Sequence, residues 1–355
     1  MKFSDNLISW YHQHKRDLPW RNTTDAYKIW VSEVILQQTR VEQGQAYYER
    51  IIAKYPDIFS LANAREEDLL KLWQGLGYYT RARNMLKAAK EIVSNYGGEF
   101  PPFYDKMIKI RGIGKYTAAA VLSFAYNMPY PVMDGNVKRV LSRYFCLTGD
   151  ITSAAAHKEL ENKLQKVFGK NRPADFNQAI MEFGALHCKI KNPECEKCVL
   201  KTGCKAFKQD KVAGLPVKSK RTIVKTRYFY YLVPWQTVRG KKYTFLQKRE
   251  TQDIWRHLFQ FPLIETAKKL SWDRLATSVE FKDIMKDGSY EVLAVSDVYS
   301  HKLSHQTICA VFVQLQVFNG LHGEKINKVS AKNLRKYPTS RLIEKYLEEH
   351  IFVDV

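Results

Sequence analysis

Four of the six cysteines lie close together in the segment CKIKNPECEKCVLKTGC, at Cys188, Cys195, Cys198 and Cys204. The first residues of the chain show no secretory signal pattern, so we expect a cytoplasmic protein whose thiols are not joined in disulfides. Four thiolates in one loop suit either a tetrahedral zinc ion or a cubane iron–sulfur cluster. The spacing therefore predicts a metal centre and leaves its identity open.

Two carboxylates stand in segments that could tune their protonation. Glu33 lies in the apolar helical segment SEVILQQTRV, and Asp134 directly precedes GNVKRVLSR. Glycosidic-bond hydrolysis uses two carboxyl groups of different protonation state, one as an acid and one to stabilise a cationic sugar. From the residues alone, Glu33 could equally be a solvent-exposed helical glutamate, and Asp134 could simply be the N-cap of the following helix.

A glycine pair, Gly112 and Gly114, opens the small-residue helix of KIRGIGKYTAAAVLSFAY. A dinucleotide-binding fingerprint is a poor interpretation, because Thr117 occupies the third glycine position and no strand precedes the motif. The pair could form a simple helix–turn–helix joint, or a helix-hairpin-helix whose turn offers backbone amides to a DNA phosphate. The motif alone does not separate these two.

The elements that position these residues fall into two predicted domains. Residues 1–208 show helical spacing, including a run from Thr24 or Asp25 through residue 55, so we expect an all-α unit that ends in the cysteine loop. Residues 209–226 form a basic linker, and residues 227–355 carry aromatic and β-branched strand segments with helices between and after them, an α+β domain. The net charge of +21 favours a polyanionic partner such as nucleic acid, and no apolar run is long enough to cross a membrane.

Taken together, these motifs resemble the helix-hairpin-helix DNA glycosylases with an iron–sulfur loop, and most closely the adenine DNA glycosylase (MutY) family. The resemblance rests on RDLPWR, SEVILQQTRV, GLGYYTRARN, PVMDGNVKRVLSR and FNQAIMEFGALHC, in the family's order and over nearly the whole chain. It implies a [4Fe–4S] cluster of structural type on the four cysteines and a helix-hairpin-helix at about residues 107–126. It also leaves open a monovalent cation at the hairpin carbonyls.

The resemblance further implies removal of adenine paired with 8-oxoguanine or guanine in double-stranded DNA, by hydrolysis after the adenine is flipped from the helix. Glu33 matches the acid that protonates adenine, Asp134 the residue that stabilises the sugar cation, and Asn136 a residue that positions the active site. Tyr116 stands where a bifunctional lyase would carry its lysine, which indicates a monofunctional enzyme. The expected residues of the adenine pocket are Arg16, Leu18, Trp20, Arg21 and Gln178. Gln38 and Tyr78 are expected to intercalate into the duplex, with Thr39 and Leu76 near the lesion. Gly112 and Gly114 are expected to contact a DNA phosphate.

The predicted second domain resembles the MutT-like Nudix fold, notably in FLQKRETQDIWRHLFQFPLIE. It has no Nudix carboxylate box, so nucleotide hydrolysis is not expected. In the MutY family this domain reads 8-oxoguanine through a Ser/Thr-His pair in a short loop, which places Ser300 and His301 here, after Tyr299. A second pair, Ser304 and His305, leaves the register ambiguous.

Two alternatives remain at the level of sequence: an endonuclease III-type glycosylase and lyase for oxidised pyrimidines, and a non-catalytic iron–sulfur DNA-binding sensor. Lys115 is a poor substitute for the lyase lysine, since it would point about 100° away from Tyr116 on a helix. Retention of Glu33 and Asp134 argues against the sensor. We expect a bacterial-type monomer that acts on chromosomal DNA and has no membrane partner.

Overall fold

The computed structural model describes residues 3–219, 224–286, 288–319, 321 and 325–352. The chain divides into two compact units, Met1–Asn63 with Asn84–Lys220 and Ala64–Arg83 with Arg221–Val355. The predicted boundaries differ at two places. Ala64–Arg83, expected in the helical domain, groups with the C-terminal part of the chain, and much of the expected linker groups with the first unit.

Residues 3–219 are helical, and no strand occurs among them, which confirms the predicted all-α character. The α-helices are α1 (Phe3–His14), α2 (Ala26–Leu36), α3 (Val41–Lys54), α4 (Ile58–Ala62), α5 (Glu66–Leu72), α6 (Thr80–Tyr96), α7 (Tyr104–Met107), α8 (Lys115–Tyr126), α9 (Gly135–Phe145), α10 (Ala154–Val167), α11 (Pro173–Leu186) and α12 (Lys205–Lys208). Short 3-10 helices span Pro19–Arg21, Cys195–Lys197 and Lys201–Gly203.

The long helical run expected from residue 25 to residue 55 is interrupted. Asp25 caps α2 as predicted, but α2 ends at Leu36 and α3 begins only at Val41. Between them Gln38 has a φ of +58°, in the left-handed region that does not continue a right-handed helix. The apolar period hides this break because the residues on both sides keep helical spacing.

The core of the first unit forms where α1, α9, α10 and α11 pack together. Tyr11 of α1, Val140 of α9 and Phe183 of α11 are among its buried members. A smaller cluster joins α8 to the segment before α9 through Ala120 and Val132. These contacts fix the start of α8 and the start of α9, the two places from which Tyr116 and Asp134 project.

The second unit contains a mixed sheet, which confirms the predicted α+β class. Its elements are β1 (Lys225–Val238), β2 (Lys241–Lys248), β3 (Phe259–Gln260), β4 (Leu263–Thr266), α13 (Trp272–Ala276), α14 (Val279–Met285), β5 (Tyr290–Val295), β6 (Tyr299–Lys302), β7 (Gln306–Val317), β8 (Ile326–Ser330) and α15 (Arg341–His350). The order along the sheet is β3-β2-β1-β7-β5, with β4 on β1, β6 on β7 and β8 on β2. Only the β1–β7 pair is parallel among the named pairs, in register from Lys225↔Gln306 to Trp235↔Gln316.

Strand β1 is buried on both faces, which explains its nearly continuous apolar sequence. Phe229 and Tyr231 point to a cluster that includes α15, whereas Tyr230 and Leu232 point to a cluster that includes α13 and α14. Successive side chains on a strand alternate between faces, so one strand supplies both cores. No helix of the described residues is long and apolar enough to cross a membrane.

Candidate active site

Glu33 lies on α2, a helix buried over most of its circumference. Asp25 caps this helix by accepting hydrogen bonds from the backbone N–H groups of Tyr27 (2.9 Å) and Lys28 (3.3 Å). The helix is buried continuously from Ile29 to Ile35, so its polar residues are carried into the interior with its apolar ones. Glu33 is only 6% exposed, and the alternative of a solvent-exposed glutamate is therefore wrong.

Burial raises the pKa of Glu33 to about 7, because the ionised carboxylate loses its hydration. The hydrogen bond to Tyr116 and the positive charge of Arg21 act in the opposite direction, while the nearby Asp134 raises the pKa further. Tyr116 is partly buried beside Glu33, and loss of solvation raises its pKa well above the usual range. Near neutral pH, Glu33 therefore populates both protonation states, which a general acid requires.

Asp134 is the N-cap of α9, as the sequence predicted. Its Oδ1 accepts from the backbone N–H of Val137 at 2.7 Å, and its Oδ2 accepts from the Asn136 side chain at 2.8 Å. Burial raises the pKa of Asp134, and these hydrogen bonds, together with Arg139, counteract that rise. Both oxygens are thus fixed by donors that favour the ionised form.

Arg139 connects Asn136 to the first cysteine of the loop. Its guanidinium donates to Asn136 Oδ1 (2.8 Å), to the Gly184 carbonyl (2.6 Å) and to the Cys188 carbonyl (2.9 Å). Gly184 permits this close packing of α9 on α11, since a Cβ there would lie 2.7 Å from Cβ of Asn136. The orientation of Asn136 therefore depends on both neighbouring segments.

A cavity with a volume of about 780 Å³ unites the predicted residues of the first unit. Its lining includes Arg16, Leu18, Trp20, Arg21, Glu33, Gln38, Thr39, Gly112, Gly114, Tyr116, Asp134, Asn136 and Gln178. Trp20 is buried and packs edge-to-face on Tyr48 at 5.2 Å, so it is also a core residue. The cavity is large enough to hold a nucleobase together with part of its sugar.

Sequence reasoning missed Glu182, which also lines this cavity. Its carboxylate accepts from Arg16 Nε (2.9 Å) and Nη2 (2.7 Å) and from Arg21 Nη1 (2.9 Å) and Nη2 (2.7 Å). Burial alone would raise its pKa, but the hydrogen bonds from the two arginines outweigh burial and lower the pKa of Glu182 to about 2. The available signal was the one acidic residue in an otherwise apolar stretch of α11.

Gln178, one turn before Glu182 on α11, has a partner that the sequence did not indicate. Its Oε1 accepts from the Tyr11 hydroxyl at 2.5 Å. This hydrogen bond fixes the orientation of the Gln178 side chain in the wall of the cavity.

The two hairpin glycines have different structural roles. Gly112 has a φ of +85°, and a Cβ there would lie 2.7 Å from Cβ of Asn84. Gly114 has a φ of −87° and open space around its Cβ position, so only Gly112 needs glycine conformationally. Gly114 is the N-cap of α8 and has no side-chain cap, which leaves the first N–H groups of that helix available to an anion.

Gln38 and Tyr78, the predicted intercalating residues, share an unusual backbone conformation. Both have positive φ, +58° and +48°. Gln38 is exposed and lies at the α2–α3 break in the first unit, whereas Tyr78 is 48% exposed and lies in the second unit. Leu76, which precedes Tyr78 by two residues, is buried.

The cysteine loop is held by a second arginine of α9. Arg143 donates to the carbonyls of Lys189 (2.6 Å) and Ile190 (3.1 Å) and contacts Cys188 Sγ at 3.5 Å. Burial is the main cause of a raised pKa for Cys195, for Cys204 and for Cys198, whose pKa is about 11. No group of three or more His, Cys, Asp or Glu side chains within the described ranges is arranged to hold a single metal ion.

The second unit has its own pocket of about 360 Å³. Tyr78, Trp255, His301, Ser304 and His305 line it. Ser304 and His305 are hydrogen-bonded to each other at 3.2 Å, and the ring of His301 lies 5.6 Å from that of Trp255, centroid to centroid. Burial lowers the pKa of His301.

The other two predicted lesion-reading residues lie elsewhere on β6, which is a strand rather than the expected loop. Ser300 is exposed and is not part of the pocket lining. Tyr299 donates to Glu349 at 2.6 Å and packs edge-to-face on Phe312. Because neighbours on a strand alternate in direction, Ser300 and His301 face opposite sides.

Comparison with known proteins gives consistent matches. Residues 31–169 match the HhH-GPD superfamily base excision DNA repair protein family. An adenine DNA glycosylase of Buchnera aphidicola subsp. Baizongia pistaciae is 37% identical over 86% of this chain and 84% of its own. The adenine DNA glycosylase of subsp. Schizaphis graminum is 32% identical over 98% of both chains. Among solved structures, a thermostable thymine-DNA glycosylase has a TM-score of 0.54 and 28% identity, covering 58% of this chain and 95% of that one.

Proposed function

Because the chain belongs to the adenine DNA glycosylase family, within the HhH-GPD superfamily of base excision DNA repair proteins, we propose that it excises adenine lying opposite 8-oxoguanine or guanine in double-stranded DNA. The enzymes of this family are hydrolases of the N-glycosidic bond. The observation on which the proposal rests is that two carboxylates with different surroundings, Glu33 and Asp134, line the same cavity.

Glu33 is the proposed general acid. It donates its proton to a ring nitrogen of adenine as the bond between the base and C1′ of the sugar breaks. Asp134, fixed by Val137 and Asn136, stabilises the positive charge that develops on the sugar. A water molecule then adds hydroxide to C1′, and its remaining proton returns to Glu33, so that free adenine and an abasic site result.

The adenine must leave the base stack to reach these groups. In the proposal, Arg16, Leu18, Trp20, Arg21 and Gln178 surround the flipped base. Gln38 and Tyr78 fill the gap in the duplex, with Thr39 and Leu76 near the lesion. The uncapped start of α8, after Gly112 and Gly114, supports a phosphate contact, since N–H groups there point outward. A monovalent cation at the hairpin carbonyls is a further proposed ligand.

The four cysteines are the proposed ligands of a [4Fe–4S] cluster. The donor set fits, because Cys188, Cys195, Cys198 and Cys204 are all unpaired thiols and lie in one loop. The cluster would hold the loop closed through bonds from the four cysteine sulfurs, in addition to the hydrogen bonds that Arg143 donates to the loop. Iron and sulfide analysis with an absorbance spectrum tests this: a charge-transfer band in the visible region is expected, and its absence together with bound zinc would contradict the cluster.

Recognition of 8-oxoguanine is the proposed role of the second unit. The pocket lined by His301, Ser304 and His305 supports it, and Ser300 remains the competing hydroxyl. Ser300→Ala and Ser304→Ala form a matched pair, since both remove one hydroxyl. We expect the serine that reads the lesion to affect excision opposite 8-oxoguanine more than opposite guanine. Equal ratios in both variants would contradict a serine reader.

A single-turnover assay tests the central proposal on duplexes with adenine opposite 8-oxoguanine, guanine or thymine. We expect fastest excision opposite 8-oxoguanine, no excision opposite thymine, and loss of excision with retained duplex binding in Glu33→Gln. Unchanged excision by Glu33→Gln would refute its assignment as the acid. Borohydride trapping tests the lyase alternative: a covalent enzyme–DNA adduct would favour an endonuclease III-type reaction.

A further inference from the structure

Glu182 is a buried carboxylate that five hydrogen bonds connect to two arginines. Its side chain is 1% exposed, and besides the four guanidinium contacts it accepts from the backbone N–H of Arg16 at 3.0 Å. Arg21 also donates to the Arg16 carbonyl at 3.1 Å. A carboxylate that accepts two bidentate guanidinium groups fixes the planes of both. Glu182 therefore determines where Arg16 and Arg21 lie.

Arg21 contacts Glu182 and lines the cavity that contains the proposed acid. Its positive charge acts on Glu33 to favour the ionised form. Besides Glu33, the charged and titratable residues that line this cavity are Arg16, Arg21, Lys115, Tyr116, Asp134 and Glu182. Of these, Arg21 is the positive charge that acts directly on Glu33.

We propose that Glu182 is a positioning residue for the reaction: it fixes Arg21 in the cavity wall and compensates its charge, so that Arg21 can contact the base without removing the proton from Glu33. This inference rests on the proposed role of Glu33 as general acid. The physical reason is the low dielectric of the cavity, where an uncompensated guanidinium acts on a neighbouring carboxyl much more strongly than in water.

The neighbouring acidic residue on the outer side of Arg16 provides a matched control. Glu42 contacts Arg16 at 3.6 Å, but its side chain is 78% exposed and it does not line the cavity. Glu42→Gln thus removes a carboxylate from the same arginine without uncovering charge inside the cavity. Solvent screens such an exposed pair, so its loss has little electrostatic effect.

The experiment measures the single-turnover excision rate against pH for the full-length protein and its variants. In the wild type, we expect the rate to fall as pH rises through the pKa of Glu33, near 7. We call this fall in rate at high pH the alkaline limb of the profile. Glu182→Gln is expected to move the alkaline limb to lower pH, on the order of one pH unit. Removing the unpaired charge as well, in Arg21→Gln/Glu182→Gln, is expected to return the limb toward its wild-type position, although the maximal rate stays reduced. Glu42→Gln is expected to leave the limb in place.

Glu182→Gln leaves two partly buried guanidinium groups without their carboxylate, and circular dichroism will show whether the variant folds. If it does not fold, Arg16→Gln/Glu182→Gln removes one of the two like charges while keeping Arg21 uncompensated, and the same acid shift is expected. A limb that stays at the wild-type pH in both variants overturns the proposal and assigns Glu182 a structural role only. A wild-type profile with no alkaline limb, or an active Glu33→Gln, instead overturns the proposed role of Glu33.

Discussion

Replacing Glu33 with glutamine should make the protein more stable above neutral pH. The folded-state pKa of Glu33, about 7, lies above the ordinary value of 4.5, so the folded protein binds this proton more tightly than the unfolded chain. The stabilisation from proton binding is complete below pH 4.5 and is lost as pH rises through about 7. Above that pH, the wild type must keep an ionised carboxylate buried, whereas glutamine carries no charge.

The size of the effect follows from the same pKa difference. At about 1.4 kcal/mol for each pH unit, the difference between 4.5 and about 7 corresponds to about 3 kcal/mol. The free energy of unfolding of Glu33→Gln relative to wild type should therefore increase with pH, mostly between about pH 5 and 7, and level off above about pH 8.

Urea unfolding followed by far-ultraviolet circular dichroism, at several pH values between about 5 and 8.5, measures this difference. Glu42→Gln is the matched control: its side chain is 78% exposed, and its difference from wild type should not change with pH. A stability difference for Glu33→Gln that is independent of pH would show that Glu33 titrates like a surface carboxylate, and would refute the reasoning about its burial.

Three further outcomes are expected. Glu182→Gln should lose about 3 to 5 kcal/mol of stability at pH 7, measured by urea unfolding, because it breaks the ion pairs with Arg16 and Arg21. The folded-state pKa of Glu182, about 2, lies below the ordinary value of 4.5, so this loss of stability should become smaller as the pH falls from 4.5 to about 2. A loss that does not change with pH would contradict the ion pairs. Gly112→Ala should lower the free energy of unfolding by about 1 to 3 kcal/mol, measured by the same method, because the φ of Gly112 is +85°. Gly114→Ala should leave the free energy of unfolding nearly unchanged. Equal effects of the two substitutions would contradict the distinct roles of the two glycines. Gly184→Ala should slow single-turnover excision with little effect on duplex binding, because its Cβ would displace Asn136; an unchanged rate would show that this contact does not position the active site.

Residues whose role depends on nearby sequence were predictable. Asp134 was expected as an N-cap because aspartate before a helical run satisfies the first backbone N–H groups, and it occupies that position. The strand character of β1 and β7 followed from their aromatic and β-branched composition. The cysteine spacing likewise placed four thiols in one loop.

Features set by tertiary packing were not predictable. The burial of Glu33 depends on what surrounds α2, and the helix period of its own segment does not report this. Strand β5 lies at the edge of the sheet and every one of its residues is exposed, so its sequence lacks the inward and outward alternation that predicts a strand. The partners of Glu182 are more than 150 positions away in the chain, beyond the reach of any local pattern.

The assignment of Ala64–Arg83 to the second unit affects how the chain can be divided and how it folds. Within that unit Lys248 pairs with Glu67 at 3.2 Å, His257 contacts Glu66, and Arg83 donates to the Arg256 carbonyl at 2.5 Å. A C-terminal fragment cut at the basic segment would lack these partners, so proteolysis there should not release an independently stable piece. During synthesis, the segment leaves the ribosome long before its partner strands exist, and the second unit can be completed only after α15 has emerged.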